Sequence, residues 1–163
     1  NLITVRRIQI GETDLFKQMR LASLRDAPYA FGTTYDSALQ RSAEIWRERA
    51  ESTAHGIDGA TFIAFSDDVP IGMAALFRIK GHADEGELMQ VWVAPKYRGT
   101  RAAWDLMDTI FGWASESNFR RIIAGVTNVN ARALKFYIKY GFSVIDDHSQ
   151  NDSGGVYLAK EVE

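Results

Sequence analysis

Residues 91–142 constrain this chain more than any other part of it. They read Val-Trp-Val-Ala-Pro-Lys-Tyr-Arg-Gly-Thr-Arg-Ala-Ala, then a long amphipathic segment and a short apolar run. They close with Asn-Ala-Arg-Ala-Leu-Lys-Phe-Tyr-Ile-Lys-Tyr-Gly-Phe. A buried strand therefore runs into a basic, glycine-containing turn that opens a helix. Such a turn aims free backbone N–H groups and positive charge at one spot, which suits a pyrophosphate. A second helix carries a tyrosine at a fixed distance from an asparagine. Together these features point to an enzyme that binds a phosphate-bearing cofactor.

The rest of the chain supplies a scaffold for that block. Its 163 residues, 46% apolar, are enough for one real core, and residues 1–163 read as a single domain. Residues 2–10 alternate as a strand. Glu12, Thr13 and Asp14 then open a helix whose inner side carries Leu15, Phe16, Met19, Ala22 and Leu24, with Pro28 ending it. The segment 28–37 is small, aromatic and irregular, and reads as a loop. Ser42 caps a second helix, 42–51, that contains Trp46. Strands are expected at 60–66, 71–80 and 87–93, the first two joined by a turn at 67–70. In the helix expected at 100–117, Ala103, Leu106, Met107, Ile110, Trp113 and Ala114 follow the helical apolar spacing. A strand at 121–126, a helix at 130–140 closed by Gly141, and strands at 142–146 and 156–160 complete the chain. The order is β-α-α-β-β-β-α-β-α-β-β, a mixed α+β layer fold.

At this point the residues resemble the GNAT superfamily of acyl-CoA-dependent N-acyltransferases, whose element order matches nearly the whole chain. The family's cofactor loop follows Arg/Gln-x-x-Gly-x-Gly/Ala after an apolar strand and often Val-x-Pro. The corresponding positions here are Arg98, Gly99, Thr100, Arg101, Ala102 and Ala103, after the strand 88–93 and Pro95. The family's late motif resembles Asn-x-x-Ala-x-x-x-Tyr-x-x-x-Gly-Phe, matched by Asn130, Ala133, Tyr137, Gly141 and Phe142. One position departs: Arg101 stands where the pattern has its first Gly of Gly-x-Gly/Ala. A glycine there allows close approach of backbone to pyrophosphate. The expectation is that the loop still cradles it, with Arg101 swung outward or paired to a phosphate oxygen. The resemblance implies a mostly antiparallel central sheet flanked by helices on both faces. It implies acetyl-CoA as acyl donor and a small primary amine as acceptor, with direct attack in a ternary complex.

The chemistry sets two demands on such a site. The amine must lose a proton before it attacks, and the leaving thiolate benefits from a proton donor. By resemblance Tyr137 is the acid, its hydroxyl facing the sulfur; it lies seven residues after Asn130, on one helical face. Its other reading is packing beside Phe136 and Tyr140. Glu87 is the expected base, at the start of the strand that leads to the cofactor loop, with a solvated strand-end charge as the plain alternative. His82 and His55 are rivals in loops. By alternation Glu87, Met89, Val91 and Val93 share one strand face. By resemblance the backbone of Val91, Trp92 and Val93 bonds the pantetheine arm as an added strand would. Asn130 either holds that arm or caps its helix, and Thr127 and Asn128 carry the same ambiguity. By resemblance Tyr29, Phe31 and Tyr35 line the acceptor pocket. Asp36 and Glu44 could attract a cationic amine, and Trp104 and Trp113 read as core.

Composition excludes several classes. A net charge of -2 gives no reason to expect nucleic acid or an anionic membrane as partner. Zero cysteines exclude disulfides, thiolate metal sites and a cysteine nucleophile, and fit a reducing cytoplasm. His148 with Asp146 and Asp147 reads as a polar loop, and the three histidines show no metal-ligand spacing. No apolar run approaches the roughly 18 residues of a membrane span, and no signal peptide is visible. The chain opens on Asn1, so an initiator Met or short leader is expected to precede it. Two other readings stand: a non-catalytic acyl-CoA-binding module, and a peptide or protein acetyltransferase. A homodimer is common in the family and is carried as a further expectation.

Overall fold

The structure is a computed structural model that describes residues 2–28, 33–127, 130–147 and 155–163. Its elements are β1 (Ile3–Arg7), α1 (Thr13–Asp26), α2 (Tyr35–Leu39), α3 (Ala43–Ser52), β2 (Gly59–Ser66), β3 (Val69–Ile79), β4 (His82–Val93), α4 (Ala102–Glu116), β5 (Arg121–Thr127), α5 (Ala131–Tyr140), β6 (Ser143–Asp147) and β7 (Gly155–Glu161). The strands form one sheet in the order β1-β2-β3-β4-β5-β7-β6. Every neighbouring pair is antiparallel except β4 with β5. This is the mixed α+β architecture expected from the sequence.

Helices cover both faces. On one, Leu106, Met107, Ile110 and Ala114 of α4 pack on Phe62, Leu76, Leu88, Ile122 and Leu158, with Tyr137 of α5 in the same core. On the other, Phe16 and Met19 of α1 and Trp46 of α3 pack on Ile63, Met73 and Trp92. A sheet buried on both sides has no polar face, so β2 and β3 read as apolar runs rather than clean alternation.

Three local features differ from the sequence reading. The segment expected as a loop, 28–37, runs into the one-turn helix α2, whose N-cap Thr34 accepts a hydrogen bond from the Ser37 amide at 3.0 Å. One turn is too short to leave a periodic signal. Strand β4 begins at His82 rather than Glu87, because polar residues 82–85 still pair with β3 and β5 at the sheet's end. Most consequential is a β-bulge in β4. Trp92 pairs with Met73 and Met89 with Ala75, so Gln90 and Val91 together oppose the single residue Ala74. Gln90 takes φ +59°, left-handed and uncommon for a residue with a Cβ. The extra residue resets the alternation. Leu88, Val91 and Val93 all pack toward α4, while Trp92 packs toward α1. Glu87 and Met89 therefore do not share a face with Val91 and Val93, contrary to simple alternation.

Candidate active site

Strands β4 and β5 make the site by parting. They pair over four positions only, Glu85 with Arg121 through Leu88 with Ala124. Beyond that the bulge turns β4 aside, and a cleft of about 710 Å³ opens between the strands. Main-chain N–H and C=O groups of residues 89–93 on that side of β4 have no β5 partner. The cleft has two ends, which the core assignments separate. Val91, Val93, Ala103, Ala133, Phe136 and Tyr137 line it and belong to the α4–α5 face. Glu87, Met89, Gly125, Thr127 and Tyr157 also line it. By alternation from Leu88, Ala124, Val126 and Leu158 they face the α1–α3 side.

The loop before α4 is built as its sequence suggests. Pro95–Tyr97 make a 3-10 turn. Gly99 takes φ +85°, a conformation that admits glycine and strains other residues. Thr100 donates its hydroxyl to the Tyr97 carbonyl at 2.6 Å and accepts the Ala102 amide at 3.2 Å. The next amides, of Ala103 and Trp104, lie in the first turn of α4, where no helical carbonyl reaches them. Arg98, Gly99, Thr100 and Ala103 line the cleft. Ala102 is fully buried in the α4 core and reaches the loop through its backbone alone.

Arg101 points away. Its guanidinium donates to Asp105 at 3.2 Å, one turn along α4, and its side chain is 71% exposed. The backbone there has φ -77°, which any residue adopts, so the position makes no conformational demand for glycine. Arg101→Gly is accordingly expected to leave the acetyl-CoA dissociation constant within about threefold, since an exposed i,i+4 pair contributes little. Calorimetric titration checks this; a tenfold gain in affinity would show that the arginine impairs the loop.

Arg98 is held by a residue the sequence did not flag. Asp26, the last residue of α1, accepts from the Arg98 guanidinium at 2.7 Å and from the Trp92 indole N–H at 2.9 Å. Burial favours its neutral form, but those two hydrogen bonds and the charges of Arg98 and Arg132 outweigh this and hold its carboxyl below the ordinary range. The stability it adds is present above the ordinary carboxylate range and is lost as pH falls through its depressed pKa. Arg98, Arg132 and Lys139 are the basic side chains around this part of the cleft.

Tyr137 is buried, its ring against Phe136 at 5.6 Å and Phe142 at 5.2 Å, and it lines the cleft. Burial pushes its hydroxyl well above the ordinary phenol range, so it stays protonated at any working pH. The packing read from sequence is present, and the same residue also lines the cleft. Asn130 caps α5, its Oδ1 accepting the Ala133 amide at 3.2 Å, and it too lines the cleft. Trp104 is not simple core: it lines the cleft and meets Tyr140 edge-on at 4.7 Å. Tyr140 donates to Asp108 at 2.7 Å.

At the other end the expectations fare differently. Tyr29 and Phe31 lie outside the described residues, as do Asn128 and His148. Tyr35 is stacked under Arg25, which donates to its hydroxyl at 3.2 Å, and it does not line the cleft. Neither do Asp36, Glu44, His55 or His82; His82 sits 3.7 Å from Glu85, which pairs with Arg121. Two lining residues carry buried oxygens with no hydrogen-bond partner among the described residues: Thr127 Oγ1, and the Oε1 of Gln90, a residue that sequence reasoning missed. Tyr157 was also missed. Its ring would stand 3.0 Å from a Cβ at Gly125, which explains a glycine in mid-strand and was the signal that could have found it. Among the described residues no group of His, Cys, Asp and Glu could hold a metal ion.

Comparison with known proteins agrees with this fold. The fold matches a GNAT-family acetyltransferase of Streptococcus pneumoniae with TM-score 0.80 at 17% identity, covering 99% of this chain and 100% of that one. It matches yncA of Salmonella typhimurium, solved with its cofactor acetyl-CoA, with TM-score 0.74 at 15% identity, covering 100% and 95%. In sequence, an uncharacterized N-acetyltransferase of Mycobacterium tuberculosis is 33% identical over 100 residues, 57% of this chain and 63% of that protein. The match thus spans under two thirds of that curated relative's length. The acetyltransferase (GNAT) family signature itself covers residues 19–142, three quarters of the chain and both halves of the cleft, and on that ground the chain belongs to the GNAT acetyltransferase family.

Proposed function

We propose that this chain transfers acetyl from acetyl-CoA to the primary amine of a small molecule, by direct attack in a ternary complex. The observation that carries the reading is the parted β4–β5 pair, whose cleft joins a proton-donor face to a carboxylate face. The residues present fit acetyl-CoA. The unpaired edge of Val91, Trp92 and Val93 offers main-chain groups to an extended amide-bearing arm. Arg98, the Gly99–Thr100 turn and the amides opening α4 offer positive charge and N–H donors to a pyrophosphate, with Arg132 and Lys139 beside them. Asn130 and Ala103 line the wall between these groups.

When bound, acetyl-CoA supplies a thioester carbon for the amine to attack. Glu87 takes the proton that the amine must lose, directly or through water. Tyr137 would serve the leaving sulfur as a hydrogen-bond donor. Its raised pKa makes full proton transfer to a thiolate unfavourable, since a free thiol has a pKa of about 8.5. Its contribution is therefore stabilisation of developing negative charge by a donor that cannot ionise. No covalent intermediate on the protein is needed.

The reading includes one domain over residues 1–163, a cytoplasmic setting, a homodimer as the assembly, and no nucleic-acid or membrane partner. Among the described residues no helix is long and apolar enough to cross a membrane.

A thermal shift with acetyl-CoA tests the cofactor site. Ligand at about 100 times its dissociation constant adds roughly 2.7 kcal/mol. For a chain of this size that is on the order of 5–10 °C in melting temperature. An unmoved transition at millimolar acetyl-CoA would remove the donor assignment. Amine-dependent release of CoA separates transfer from mere binding.

A further inference from the structure

Two apolar side chains are exposed where interior strands ordinarily bury them. Strand β4 lies between β3 and β5, and β7 between β5 and β6. Yet Met89 of β4 is 44% exposed and Tyr157 of β7 is 40% exposed. Helices α1 and α3 cover their face of the sheet over Ile63, Met73 and Trp92. No described residue of β5 or β7 belongs to that helical cluster, so the face continues uncovered across Met89, β5 and β7. Other large apolar side chains are exposed, but among the described residues Met89 and Tyr157 alone of that group line the cleft. Apolar surface gathered in a cleft, rather than scattered singly, is surface kept for a ligand.

Strand register fixes what surrounds the pair. Phe77, Glu87, Ile123 and Ala159 form one row across β3, β4, β5 and β7. Two residues on, about 7 Å along the strands, the next row of the same face holds Ala75, Met89, Gly125 and Tyr157. Gly125 places no side chain there, and the Tyr157 ring leans into the space. A Cβ at Gly125 would meet two of its ring carbons at 3.0 and 3.4 Å. Met89 and the Tyr157 ring thus make an apolar floor one row from the Glu87 carboxylate.

Charge limits what can lie on that floor. Glu87 is the one carboxylate lining the cleft among the described residues, where Arg20, Arg98, Arg132 and Lys139 are the cations. One ammonium is matched by Glu87. A second positive charge would meet an apolar side chain or another cation, and either is costly. Acceptors that carry several amines fit this surface poorly.

We propose that the acceptor is a monoamine with an apolar body, alkyl or aryl, which lies on Met89 and Tyr157 while its nitrogen faces Glu87. This rests on the transferase reading and names the substrate class of that site. Met89 and Tyr157 are then specificity-determining residues.

The test follows CoA release by the whole chain with acetyl-CoA and a series of straight-chain primary amines from ethylamine to hexylamine. The series varies apolar length at nearly constant basicity. Phenethylamine, 1,5-diaminopentane and a peptide carrying one lysine are run beside it. The expected result is that kcat/KM climbs about fourfold per methylene until the floor is covered. Phenethylamine should match the longer alkylamines, and 1,5-diaminopentane should fall at least about 10-fold below pentylamine. In Met89→Ala and Tyr157→Ala the climb should drop below about twofold per methylene, while Tyr157→Phe keeps it. A flat series overturns the proposal. So does a diamine or the peptide used faster than every monoamine, or a climb that survives both alanine variants. If Tyr157→Ala does not fold, Met89→Ala and the wild-type series still decide. Calorimetric titration of the same amines into the chain saturated with CoA keeps the two readings apart. Affinity that climbs with length, without release of CoA from acetyl-CoA, removes the transferase reading and leaves the apolar floor its role. Release that is indifferent to length does the reverse.

Discussion

Replacing Tyr137 by Phe is expected to lower kcat by roughly 100-fold while the acetyl-CoA dissociation constant stays within about threefold. Loss of one donor at a developing charge costs about 2.7 kcal/mol on this scale. The ring contacts to Phe136 and Phe142 survive the substitution, so the fold should hold. Steady-state kinetics with a saturating amine, alongside calorimetry for acetyl-CoA, separates the two effects. The sign of the pKa shift adds a second check. Because burial raises the Tyr137 pKa above its ordinary value, the residue does not ionise below pH 10. Any basic limb in the wild-type profile below that pH should therefore persist in Tyr137→Phe. An unaltered kcat, with transfer intact, would leave Tyr137 a packing residue and nothing more.

Glu87→Gln carries the other large effect. The substitution keeps size and polarity and removes the proton acceptor. Turnover at neutral pH is expected to fall by roughly 100- to 10,000-fold, the usual contribution of a positioned base. Raising the pH should recover part of the loss, because more of the amine is then already neutral. The rate of the variant should therefore climb with pH through the amine's own ionisation range. Glu87 is half-buried and paired in register with Phe77 and Ile123, so little stability depends on its charge. A variant with wild-type turnover at neutral pH would take Glu87 out of the mechanism.

The loop that opens α4 and the two ends of α5 were legible because their determinants are local. Gly99 at φ +85° and the Asn130 cap each depend on residues within a few positions of one another. Gly141, at φ +120°, closes α5 as its place in the motif implied. The α1–α3 end of the cleft was not. Arg20 reads in sequence as an ordinary exposed charge on an amphipathic helix, and only the packing of α1 on the sheet turns it inward. Asp26 is 66 residues from Trp92 and 72 from Arg98, and no spacing rule connects them. Tyr157 faces the cleft by strand parity, which is of no use until the sheet order is known.

The sequence alone determined the succession of elements apart from α2, the caps Ser42, Asn130 and Gly141, and the loop that opens α4, because hydrophobic period, capping chemistry and glycine's φ range act over a few residues. Tertiary structure decided the rest. One inserted residue, Gln90, shifts the parity of β4, and a shift of one in a strand sends every later side chain to the opposite face. That shift parts β4 from β5, sets Val91 and Val93 against Glu87 across the sheet, and leaves the gap in which the two ends of the cleft meet. A bulge is defined by the partner strand it fails to match, so it exists only once the chain has folded.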